Sequence, residues 1–203
     1  MLRQGTMSSV EGKIERRIKS RPRGTILFAG DFMEFGTPEA IRQALVRLVS
    51  KGVLRRVSQG IYVRPAMSDY IGEVLPSAEE VAQSIAKRDR IKIVPTGSYA
   101  LNLLGLSTQI PLKLVYLTDG APREIKIGNR TIKLKKTTPK NLMAKGEISR
   151  LVIQALREVG QKGLTSELEM KVVGLLKKED RKDLEHDVAL APAWIRKIMQ
   201  KSL

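Results

Sequence analysis

The sequence predicts an α+β protein. Its first part, residues 1–68, reads as a winged helix-turn-helix. A small mixed α/β domain follows over 77–203, and its last stretch, about 148–203, is helical. Three observations predict this. The N-terminal third runs helix, short helix, helix, two-stranded hairpin. The middle carries short strands and a hairpin signal at Gly128-Asn129. Beyond Ile148 the apolar residues recur at helical spacing.

The first helix is read over Ser9 to Arg21. Val10, Ile14 and Ile18 are spaced by four and make one apolar stripe, with Arg16, Arg17 and Lys19 off it. Arg21-Pro22-Arg23-Gly24 stops it, and an extended piece follows at Thr25–Ala29. Asp31 is expected to cap a brief helix through Phe32, Met33 and Phe35, closed by Gly36. Thr37-Pro38 then opens a longer helix, because Thr accepts an orphan N–H and Pro loses nothing in the first turn. That helix runs to Lys51, with Gly52 as its C-terminal cap. Ile41, Leu45 and Leu48 lie on one face; Glu39, Gln43, Val46, Arg47 and Ser50 lie opposite, with Arg42 at the flank. Leu54–Val57 and Ile61–Arg64 read as strands joined by a Ser58-Gln59-Gly60 loop.

Composition narrows the function. The chain has 203 residues, 37 Lys and Arg against 21 Asp and Glu, and a net charge of +16. Thirteen basic residues face six acidic ones in 1–70, the densest excess of any third. Such a balance points to a polyanionic partner. Aromatic residues make up only 4%, which is thin for stacking single-stranded bases. There is no cysteine, so disulfides, cysteine zinc sites and thiol chemistry are excluded. No apolar run spans a bilayer, and Met1–Met7 lacks a signal-peptide core, so a cytoplasmic protein is expected; Met7 is as good a start as Met1.

The helix capped by Thr37 suits the major groove of double-stranded DNA. Gln pairs with adenine and Arg with guanine in bidentate fashion, and Gln43 and Arg47 stand one turn apart. Arg42, Arg55, Arg56 and Arg64 are placed to hold phosphates, and Ser58 and Gln59 at the hairpin tip to enter a neighbouring minor groove. Thr37 and Tyr62 complete the expected DNA-binding set.

The run Asp31-Phe32, Gly36, Ile41-Arg42-Gln43-Ala44-Leu45, Leu48, Lys51–Val57, Gly60-Ile61-Tyr62 and Pro65 resembles the N-terminal domain of AbiEi-type antitoxins. Pro95–Leu106 resembles the start of that family's second domain, and Leu190–Ile198 its tail. The resemblance implies a repressor that binds its own operator, with inverted repeats, in a type IV toxin–antitoxin operon tied to abortive phage infection. It also implies neutralisation of a nucleotidyltransferase-like toxin, with or without direct contact. The second domain here is short for that architecture.

In the rest of the chain, 70–76 reads as a linker. Ser77-Ala-Glu-Glu80 is a capping box opening a helix to about Arg88. Ile91–Val94 and Leu112–Leu117 read as strands, with a small helix from Ser98 to Leu104 between them. Arg123–Ile127 and Thr131–Lys136 form a hairpin with Ile125, Ile127, Ile132 and Leu134 facing in and Lys126, Lys133 and Lys135 facing out. With Arg130 and Lys136 these make a basic ribbon, read first as a charged edge that blocks sheet-to-sheet aggregation, with an added phosphate contact or a docking face for an acidic partner as the alternatives. The helical tail carries stripes at Leu151, Ala155, Leu156 and Val159, at Leu168, Val172, Leu175 and Leu176, and at Leu184, Val188 and Ala191. Trp194 is expected to plug the core or to anchor docking.

No enzyme is expected. Gly97-Ser98 before a strand ending at Asp119 faintly resembles a nucleotidyltransferase, but that chemistry needs clustered carboxylates and Asp119 stands alone. His186, the one histidine, makes neither a dyad nor a zinc site. No cofactor and no metal are expected. Two other function classes stay open: a basic RNA-binding protein, and a winged-helix module that contacts protein.

Overall fold

The computed structural model describes residues 9–203. The reading of Met1–Met7 lies outside them. The protein is mixed α and β and ends in a run of helices. It divides into two compact units, one ending at Ser84 and one beginning at Ile85.

The N-terminal unit starts with α1 (Val10–Lys19), capped by the Ser9 hydroxyl, which accepts from Gly12 N–H at 3.1 Å. Ile14 and Ile18 are fully buried, as their spacing requires. Strand β1 (Ile26–Phe28) follows, then a 3₁₀ segment over Ala29–Phe35. This segment begins two residues before the expected cap. Asp31 lies inside it and reaches back to the Phe28 N–H at 2.8 Å. Helix α2 (Pro38–Ser50) is capped by Thr37, which accepts from Ala40 N–H at 3.3 Å. Ile41, Ala44, Leu45 and Leu48 are buried with Ile14, Ile18, Leu27, Phe32, Leu54 and Tyr62 in one cluster. At about 1.5–3 kcal/mol for each large apolar side chain, this contact dominates the unit.

Strands β2 (Arg55–Ser58) and β3 (Ile61–Val63) form the expected hairpin, but Ser58 pairs with Ile61. The loop is therefore only Gln59-Gly60, with Gly60 at φ +69°. A register shift between Arg56 and Ser58 absorbs the change. The sheet order is β1-β3-β2, antiparallel throughout. Residues 70–76 are not simply a linker. Strands β4 (Ala66–Ser68) and β5 (Gly72–Val74) pair as a second hairpin. The capping box forms: Ser77 N–H donates to Glu80 at 2.8 Å and Glu80 N–H donates to Ser77 at 3.1 Å, opening α3 (Ala78–Asp89).

The C-terminal unit holds a four-stranded sheet of β6 (Ile93–Pro95), β7 (Lys113–Thr118), β8 (Arg123–Ile127) and β9 (Arg130–Lys136), ordered β6-β7-β9-β8. Strand β9 pairs in parallel with β7 and antiparallel with β8. Leu114, Tyr116, Ile132 and Leu134 are buried on one face, and Tyr116 meets Tyr99 of α4 (Ser98–Leu103) edge-on at 5.4 Å.

The tail comprises α5 (Glu147–Gly163, interrupted at Gly160), α6 (Ser166–Leu176), α7 (Arg181–Val188) and α8 (Ala193–Met199). Their stripes converge on Val152, Leu156, Val172, Leu176, Leu184, Val188 and Ile195, with Trp194 packed against that cluster. The start of α5 has no local side-chain cap. Distant carboxylates serve instead. Glu179 accepts from Ile148 and Ser149 N–H, and Asp187 from Lys145 and Gly146 N–H, at 2.7–2.9 Å. The Ser149 hydroxyl also donates to Asp187. A Cβ at residue 146 would collide with Glu179 and Ser149, so glycine is required there.

Asp187 is fully buried and satisfies three donors as well as contacting His186 Nδ1 at 2.7 Å. Orphaning buried donors costs about 1–3 kcal/mol. Asp187→Ala should therefore lower the unfolding free energy by about 3 kcal/mol in urea titration. A loss below about 1 kcal/mol would contradict the capping role.

Candidate nucleic-acid interface

The cluster around Ile14, Ile18 and the inner face of α2 decides what α2 shows to solvent. Arg42, Gln43, Val46, Arg47 and Ser50 are all exposed. The expected contact residues on this helix are thus brought together on one open surface. That surface is not uniformly basic. Glu39 accepts from Arg42 Nη2 at 2.5 Å and from Gln43 Nε2 at 3.2 Å. Glu11, on the first turn of α1, accepts from Arg47 Nε at 2.6 Å and from Lys51 Nζ at 2.5 Å.

The Glu11 contact has a geometric consequence. Arg47 is held through Nε, so the tip of its guanidinium fork, the two Nη groups, is left to meet a partner. Lys51 and Arg47 together hold the Glu11 carboxyl below the usual glutamate range, and Glu11 in turn raises the Lys51 ammonium. Arg42 likewise lowers Glu39.

The hairpin residues divide differently. Arg55 is exposed and pairs with Glu73 of β5 at 2.8 Å. Arg56 is exposed beside the turn, where its Nε lies 3.4 Å from the Ser58 carbonyl. Gln59 is exposed at the tip, with half-buried Ser58 beside it. Arg64 turns back onto α1, donating to the carbonyls of Lys19 and Arg21. It closes the C-terminal end of that helix. Tyr62 is 7% exposed and belongs to the core. Its strand runs between β1 and β2, so it has no open edge, and Ile61, Tyr62 and Val63 are all buried. Thr37 is occupied as a cap.

A cleft of about 350 Å³ in the same unit is lined by Lys19, Arg23, Arg55, Arg64, Met67 and Glu73. Sequence reasoning missed its outer wall: 66–68 carries no strand signal, and 70–76, which holds Glu73, reads as linker. The tip of that hairpin carries Tyr70 and Ile71, 97% and 76% exposed.

In the C-terminal unit only half of the basic ribbon lies at an edge: β8, with Lys126, is an outer strand of the sheet. Strand β9, with Lys133 and Lys135, lies inside the sheet between β7 and β8. The register sets Lys113, Lys126, Lys133 and Lys135 on the face away from Tyr116, with Glu124 binding Lys133 at 2.7 Å and Lys113 at 3.2 Å. Asp119 accepts from the Lys92 N–H at 2.8 Å, a loop-closing contact. No group of three or more metal-binding side chains occurs among the described residues. Among them, too, no helix is long and apolar enough to cross a membrane.

A family model described as a family of unknown function (DUF6088) matches residues 13–184. No curated protein matches the chain.

The clamp on Arg47 predicts a titration. With its pKa lowered, Glu11 stays ionised below the ordinary glutamate range, and the clamp is lost only as pH falls through that depressed value. The Glu11 carboxyl carbon, followed by NMR, should titrate below an unperturbed glutamate. It should return to the ordinary range when Arg47→Gln and Lys51→Gln are combined. An ordinary midpoint in the native protein would show the clamp absent in solution.

Proposed function

We propose that this chain, which belongs to the DUF6088 family, is a sequence-specific duplex-DNA-binding repressor with a winged helix-turn-helix at its N-terminus. Several features support the reading. The order α1, β1, short 3₁₀ segment, α2, hairpin, with β3 central in the sheet, is compatible with a winged helix. Helix α2 buries one apolar face and presents Gln43 and Arg47 outward, one turn apart. That presentation is the observation that carries the reading.

In mechanism, α2 enters the major groove. Arg47, clamped at Nε by Glu11, offers its Nη fork to a guanine, and Gln43 offers its amide to an adenine. Gln43 and Arg42 leave Glu39 on docking. Exposed ion pairs are weak and readily exchanged for phosphate contacts. Arg55 and Arg56 hold the backbone and Gln59 follows the hairpin tip into the adjacent minor groove. Tyr62, Arg64 and Thr37 act by keeping the unit folded.

The resemblance to AbiEi-type antitoxins extends the proposal to an operon. The chain would repress its own promoter and oppose a nucleotidyltransferase-like toxin encoded beside it. Co-expression tests this part: a neighbouring gene that is harmless alone would sink it.

For DNA, the probe is the duplex upstream of the chain's own reading frame, competed against random duplex. Gln43→Ala and Arg47→Ala should each cut the preference for the upstream duplex by about 5- to 150-fold, the effect of about 1–3 kcal/mol per base contact. Arg55→Ala should weaken both duplexes alike and reduce the salt slope by about 0.9. Glu11→Gln should tighten random binding yet lower discrimination. Equal losses on both duplexes for every variant would reject the groove assignment.

A further inference from the structure

Between the 3₁₀ segment Pro139–Leu142 and helix α5 the C-terminal unit holds a small notch, of about 10 Å³, that the proposed function does not use. Its polar lining is Lys140, Asn141, Arg150, Gln154 and Arg157, and no carboxylate lines it. Arg150, Gln154 and Arg157 follow a four-then-three spacing, which places them on one face of α5.

The hydrogen bonding leaves this lining short of acceptors. Arg157 donates from Nη1 to Asn141 Oδ1 at 2.7 Å, a neutral amide where a carboxylate would balance its charge. The amide is fixed in that direction because Asn141 Nδ2 donates to Thr137 Oγ1 at 2.8 Å. Burial lowers the pKa of Arg157. The Nε–H of Arg150 is buried and has no partner. The acidic contact of Arg150 is Glu147 at 3.6 Å, an outlying carboxylate that is 87% exposed. Gln154 is 4% exposed, and its Oε1 is taken by the Thr96 hydroxyl at 3.3 Å. Each amide oxygen of the lining thus already accepts one hydrogen bond, whereas the buried Arg150 Nε–H donates none.

The notch has room for one oxygen atom. A water there would satisfy the open Nε–H but leave the positive charge of Lys140, Arg150 and Arg157 without a carboxylate in the lining to balance it. An oxoanion oxygen only accepts, and it brings the missing negative charge. We propose that this notch is an oxoanion site that takes one oxygen of a phosphate group, held by Arg150 and Arg157, with Lys140 supplying further charge. The site is independent of the α2 surface and does not rest on the DNA reading.

The shared chemistry is phosphate, free or esterified, and two probes separate the sources. The full chain is titrated with inorganic phosphate and with a nucleoside 5′-monophosphate, each against chloride at equal ionic strength. The Arg150 and Arg157 Nε–H signals are followed by NMR. Phosphate should shift both saturably and chloride should not. Arg157→Gln and Arg150→Gln should each weaken binding tenfold or more. Arg157→Lys, which keeps the charge but loses the fork, should fall between. Lys171→Gln, a distant surface change, should bind as the native chain does. Thermal unfolding in chloride confirms that each variant is folded. A tighter nucleotide identifies an esterified phosphate as the ligand, and equal affinities identify the free ion. Shifts that chloride reproduces, or binding that survives both arginine substitutions in folded variants, would overturn the proposal.

Discussion

The N-terminal unit depends on one contact, the burial of Ile41, Ala44, Leu45 and Leu48 against Ile14 and Ile18. It fixes the rotation of α2 about its own axis. A helix repeats every 3.6 residues, so choosing the buried stripe also chooses the exposed one. Gln43 and Arg47 face outward because their neighbours on the other side are apolar. The same contact holds α1 beside α2, and so brings Glu11 within reach of Arg47 and Lys51. Packing and charge arrangement have one cause here.

Charge does less than the composition suggests. A net +16 implies an evenly basic surface, yet several cations on the candidate interface already meet an acid. Glu39 holds Arg42, Glu11 holds Arg47 and Lys51, and Glu73 holds Arg55. The Glu11 contact at Nε orients the Arg47 side chain, which would otherwise sample many rotamers. An ordered guanidinium loses less entropy on docking than a free one. In the proposed reading, the acids trade total attraction for defined geometry.

Much of this was legible in the sequence, and the exceptions share a physical cause. Spacing and end signals located α1, α2, the first hairpin and the helical tail, because Ile14, Leu45 or Val172 repeat at a local period. Thr37-Pro38 and Ser77–Glu80 marked helix starts for equally local reasons. The second hairpin escaped because three-residue strands such as Ala66–Ser68 hold too little alternation to register. The place of β9 inside the sheet escaped because parallel pairing joins residues that no local pattern connects. The edge-guard reading of Lys133 and Lys135 fell with it. Tyr62 sits on a central strand buried on both sides, which the sequence of a three-residue strand does not announce. The caps on α5 from Glu179 and Asp187 lie thirty or more residues away. The acceptor-poor notch needs the fold as well, since only Asn141 reveals what Arg157 lacks.

The most direct test of the account selects the partner rather than assuming it. The chain is offered a pool of random duplexes, the bound fraction is sequenced, and the selection is repeated with Arg47→Ala. The account predicts that the native chain enriches a defined motif containing guanine, and that the variant loses the preference at that base. Recovery of random sequence by the native chain would contradict it.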